Sequence, residues 1–269
     1  MSRYLTLLIA FLAFCAMVNV AYFARSDEAL ITKLHELDQM RNGKNTPFDE
    51  VEKRGKDLLA KYTSPEEQGQ IYFHLTEIHG QSGMEHTDLV IQHAQSSLEL
   101  AVDSVQRLRL YVYWGDAIMI ANLHSTIQDK KPFFEVRRLA AKPYLEGLKE
   151  SQKYEIPQEM PKLPGVGKYV GPDNDAQYQQ IKIKHDEQMD ARNKALLGQR
   201  LWISRKVLTG QIVEIYSRPP YAATELRQLA TKILEDPTEV DALMKLIEDK
   251  DALKDDPIPE KANAKTPDK

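Results

Sequence analysis

Four of the seven histidines, His74, His79, His86 and His93, fall between positions 74 and 93, with Glu77, Glu85 and Asp88 among them. Imidazole and carboxylate together form the donor set that binds zinc and related divalent ions. His86 and His93 are seven residues apart, which places both on one side of a continuous helix. The spacing does not follow the His-Glu-x-x-His pattern, in which two ligands one turn apart flank a general base. Gly80, Ser82 and Gly83 also interrupt the stretch. Two readings follow: a divalent-cation site, or polar side chains at helix ends and on a loop. The second is preferred, so no metal or cofactor is assigned, and the four histidines stand as candidates only.

A second group is aromatic. Tyr72, Tyr111, Tyr113 and Trp114 sit on helical stretches and are candidates for binding a protein or peptide, because aromatic anchors dominate many interfaces. The alternative is packing between helices. Trp202 lies beside the apolar run Leu201–Ile215 and reads as core. Leu163-Pro164-Gly165-Val166-Gly167-Lys168 has a phosphate-loop flavour, but the first glycine is misplaced and Tyr169 follows the lysine. No Gly-x-Ser-x-Gly elbow is present. No catalytic motif emerges, and the chain reads as a non-enzyme.

Composition narrows the classes further. The 269 residues carry 36 Lys plus Arg against 40 Asp plus Glu, a net charge of −4, so no basic footprint for nucleic acid exists. A single cysteine excludes an intrachain disulfide framework, multi-cysteine zinc sites and CxxCH haem attachment. That cysteine, Cys15, lies in the segment Tyr4 to Ala24, which has no charged residue and is preceded by Arg3. A basic front and 21 apolar-rich residues read as an export signal or a membrane anchor. Asn19 and Tyr22 occupy the −3 positions for cleavage after Ala21 and Ala24, and Phe14 before Cys15 argues against lipidation. Either reading places the protein outside the cytoplasm, on the periplasmic or extracellular side. If the segment is uncleaved, residues 4–24 contact the membrane.

The elements that must position these side chains are helices. Phe48, Val51, Gly55, Leu58, Leu59 and Tyr62 recur at helical spacing, as do Ile71, Leu75 and Ile78. Val90, Ala94, Leu98 and Ala101 follow, then Val105, Leu108, Val112, Gly115 and Met119. Leu201, Arg205, Leu208, Ile212 and Ile215 form another face with one charged member, ahead of Leu226, Leu229, Ile233 and Val240, Leu243, Ile247. Thr46-Pro47-Phe48-Asp49, Ser64-Pro65-Glu66-Glu67 and Asp236-Pro237-Thr238-Glu239 share a start signal. An oxygen caps free amides, proline sits at N1, and a carboxylate follows at N3. Pro143 predicts a kink or break. The expected fold is all-α: antiparallel hairpins in an array or an irregular bundle, after an N-terminal hydrophobic helix. The expected divisions are 1–25 (signal or anchor), 26–156 (helical hairpins), 157–175 (Pro/Gly-rich connection), 176–253 (C-terminal helices) and 254–269 (disordered tail).

Ile71-Tyr72-Phe73 and Val112-Tyr113-Trp114 are alike and 41 residues apart, and Gly55 and Ala94 place small residues 39 apart on the preceding helices. Over residues 48–123 this pattern resembles tetratricopeptide-like helical repeats, although their strict period is 34 residues. The resemblance implies a scaffold that displays a groove to a protein or peptide. The function expected is thus an exported or membrane-tethered interaction scaffold. The alternatives are an exported divalent-metal-binding protein using the 74–93 histidines, and a structural cell-envelope protein.

Overall fold

The computed structural model describes residues 29–41, 46–81, 85–129, 138–166, 175–217 and 223–252. Nine helices and no strand are found among these residues, so the all-α expectation holds. They are α1 (29–41), α2 (Phe48–Lys61), α3 (Pro65–Gly80), α4 (Thr87–Leu98), α5 (Ser104–Asp129), α6 (Ala141–Ser151), α7 (Asp175–Tyr216), α8 (Ala223–Leu234) and α9 (Pro237–Ala252). None of them is long and apolar enough to cross a membrane. The hydrophobic segment 4–24 and the tail 254–269 lie outside the described residues. The chain forms two compact units, Met1–Asp103 and Ser104–Lys269.

In the first unit, Leu30, Leu34 and Leu37 of α1 pack with Val51 and Leu58 of α2 and with Ile71, Leu75 and Ile78 of α3. Each such leucine or isoleucine contributes roughly 1.5–3 kcal/mol by leaving water. At Gly55, where α2 meets α3, an added Cβ would lie 2.7 Å from a Leu75 methyl, and that side chain would have to shift. The start of α3 is a capping box: the Glu67 amide donates to Ser64 Oγ at 3.1 Å and the Ser64 amide to Glu67 Oε2 at 3.3 Å. The expected cap at Thr46 does not form. Pro47 occupies the N-cap of α2 without a side-chain bond, and its carbonyl accepts from the Val51 amide at 3.3 Å. On α4 the buried face runs through Val90, His93, Ala94 and Ser97, not Leu98 and Ala101. Ser97 can be buried because its hydroxyl donates to the Gly69 carbonyl at 3.0 Å.

In the second unit, Leu108 of α5, Tyr144, Leu145 and Leu148 of α6, and Leu201, Leu208 and Ile212 of α7 share one core with Leu226 of α8 and Val240, Leu243 and Ile247 of α9. Pro143 falls in the first turn of α6, where its missing amide costs nothing; the interruption lies just before it, at Ala140. Arg205, the charged member of the α7 face, reaches the Glu239 carboxylate on α9. Glu239 therefore holds two helices together, while at the α9 start the Thr238 amide donates to Asp236 Oδ1 at 2.9 Å. The described part of the Pro/Gly-rich connection packs on α7. Gln199 Nε2 donates to the Pro161 carbonyl at 2.6 Å, Arg192 to Pro164 at 3.2 Å and the Trp202 indole to Gln158 at 3.3 Å. Trp202 is thus a half-buried tether for this segment and not a core residue.

Candidate functional site

The polar positions on three apolar helix faces of the first unit converge. Glu52 lies one turn from Phe48 and Gly55 on α2, His79 one turn from Leu75 on α3, and His93 one turn from Val90 and Ser97 on α4. Their side chains are 12%, 0% and 5% exposed, respectively. Glu52 Oε2 stands 3.0 Å from His79 Nε2 and 3.0 Å from His93 Nε2. A carboxylate only accepts, so both imidazoles present Nε2–H to one oxygen. The two rings stack with centroids 5.5 Å apart and planes at 28°. The other carboxylate oxygen, Oε1, faces the Lys56 ammonium at 3.5 Å, one turn along α2.

Burying a carboxylate is costly unless its lone pairs are satisfied. Hydrogen bonds from His79 and His93 meet that cost and hold the Glu52 carboxyl well below the usual carboxylate range, against the opposing effect of burial. The surroundings are aromatic: the Phe48 ring lies 5.5 Å from His79, and the Tyr72 ring 5.7 Å from His93. His93 Nδ1 is buried with no hydrogen-bond partner in the protein.

The four histidines therefore separate. His79 and His93 meet at Glu52. His86 is the N-cap of α4, so it and His93 do not lie on one uninterrupted helix; its ring packs 4.4 Å from Phe48 and 5.5 Å from His79. His74 turns away, with Nδ1 3.5 Å from Asp38 on α1. Glu52 was missed by a search confined to the histidine-rich stretch. The signal was present all the same, because a lone acid on the apolar stripe of α2 needs a buried partner.

The aromatic candidates also divide. Tyr72 belongs to the histidine cluster. Tyr111 on α5 packs against the core of the second unit, where burial raises its pKa, and its ring stacks with Trp114 at 6.3 Å. Tyr113 carries the Arg109 guanidinium, 5.8 Å from its ring centre, with Arg109 donating to the phenol oxygen at 3.2 Å. Tyr111, Tyr113 and Trp114 are each only partly buried.

Compared with known proteins, the chain matches no family model, no curated protein and no solved structure.

Proposed function

We propose that this chain is an exported or membrane-tethered helical scaffold that binds a protein or peptide partner, with no catalytic role. The observation that carries this reading is the aromatic group on α5. Tyr113, Trp114 and Arg109 lie within two turns, all three with solvent contact. Tyrosine, tryptophan and arginine are the residue types enriched at binding hot spots, where they bury large area at low entropic cost. The tetratricopeptide-like reading is supported in the first unit by helices joined through a short connection at 62–64 and by the Gly55–Leu75 close approach. The exported location rests on the uncharged segment 4–24 behind Arg3.

The test is affinity capture from the exported fraction of the source cells, using the full chain and the double variant Tyr113→Ala/Trp114→Ala. A partner retained by the first and lost by the second, at equal helicity by circular dichroism, supports the reading. Identical capture by both would remove the aromatic group from the argument. A reporter fused after residue 30 that stays in the cytoplasm would refute the export half.

A further inference from the structure

We propose that Glu52, His79 and His93 form a binding site for one divalent transition-metal ion of the zinc class. The three donor atoms come from three helices and lie within 4.8 Å of one another. Donor atoms at about 2.1 Å from a tetrahedral centre stand ~3.4 Å apart. The separations of 3.0 Å from Oε2 to each Nε2 have to open by a few tenths of an ångström. All three donor atoms lie within 4.8 Å of one another, so the two Nε2 atoms have to close by at most about 1.4 Å to reach that spacing.

The donor chemistry selects the ion. Two imidazoles and one carboxylate suit zinc, cobalt, nickel or copper, whereas magnesium and calcium take all-oxygen sets. Binding replaces the two Nε2–H···Oε2 bonds with metal–ligand bonds. In each neutral ring the hydrogen leaves Nε2 and a hydrogen is taken up at Nδ1, so the ring's proton count is unchanged. Glu52 keeps 12% of its side chain in solvent, so a fourth ligand from water enters beside it. The ring of His86 packs on Phe48 beside the three donors, 5.5 Å from the ring of His79.

Within the protein, His93 Nδ1 has no hydrogen-bond acceptor to orient it. Outer partners of that kind are worth about 10–100-fold in metal affinity.

The experiment uses the full chain, stripped with chelator and dialysed, then titrated with Zn²⁺ by calorimetry and with Co²⁺ by visible absorption. The expected result is one ion per chain, a higher thermal midpoint with Zn²⁺, and a four- or five-coordinate Co²⁺ spectrum. Glu52→Gln and His93→Gln, each with wild-type helicity, should weaken binding by about 100-fold or more. X-ray absorption of the zinc-loaded wild-type chain, which needs no variant to fold, should show two imidazoles on the ion. A chain that takes up no stoichiometric Zn²⁺ would overturn the proposal and leave a buried hydrogen-bond network in its place. So would a coordination sphere with fewer than two imidazoles, or undiminished binding by the double variant His79→Gln/His93→Gln.

Discussion

The ring of Tyr144 on α6 lies against Gly115 on α5 so closely that a methyl group at Gly115 would overlap its Cε1 and Cζ atoms. The same Tyr144 donates its hydroxyl to Asp116 Oδ1 at 2.5 Å. Neighbouring residues of α5 thus hold the ring and the hydroxyl of Tyr144, and a swing of the ring away from an added methyl strains that hydrogen bond.

Gly115→Ala should therefore destabilise the chain by about 1–3 kcal/mol, even though alanine is the better helix former by up to ~1 kcal/mol. Gly210→Ala on α7 is the matched control, because nothing lies within 4 Å of the Cβ it would add. That substitution should be neutral or stabilising by as much as ~1 kcal/mol. Thermal melts of the two variants decide the matter; shifts in the same direction would contradict the packing argument.

The two expected caps with hydroxyl side chains should behave differently. Ser64→Ala removes one half of a reciprocal capping box and should cost about 1 kcal/mol. Thr46→Ala should change stability by less than about 0.5 kcal/mol, since the α2 N-cap is Pro47 and takes no side-chain bond. Chemical denaturation of both variants provides the comparison, and an equal loss would mean that Thr46 caps after all.

Glu150 supplies a pH signature. Burial pushes its carboxyl up, but hydrogen bonds from Lys153 and Tyr154, both at 2.7 Å, together with Arg107 at 3.8 Å, outweigh burial and bring it down. A group whose pKa falls on folding stabilises fully above its unfolded pKa, here about 4.5, and loses that contribution as pH drops through the folded value. Glu150→Gln should thus cost about 1–2 kcal/mol at pH 7 and progressively less below pH ~4.5. Melting both proteins across pH 3–8 tests this; curves that stay parallel would exclude the carboxylate as the source.

Much of the fold was legible along the chain. The stripes through Val51 and Leu58, through Ile71, Leu75 and Ile78, and through Leu201, Leu208 and Ile212 are the buried faces of α2, α3 and α7. Helical periodicity is a local property, so it survives without knowledge of the partners. The failures were also local readings, made where a distant contact decides. The buried face of α4 passes through Ser97 and not Leu98 or Ala101, because the Ser97 hydroxyl bonds Gly69, 28 residues earlier. Trp202 looked like core but spends its indole N–H on the connecting segment.

The candidate site divides in the same way. The sequence alone determined that the chain is helical, where α3 and α9 begin, and that histidines crowd positions 74–93. Only the tertiary structure decided which of them meet. Glu52 is 27 residues from His79 and 41 from His93, and no spacing rule links an acid on one helix to imidazoles on the next two. Side-chain direction on a helix follows from sequence position, but the rotation and offset of packed helices follow from how their apolar faces interlock. That interlocking, through contacts such as Gly55 on Leu75, brings one carboxylate oxygen to two imidazoles and sends His74 to Asp38 instead.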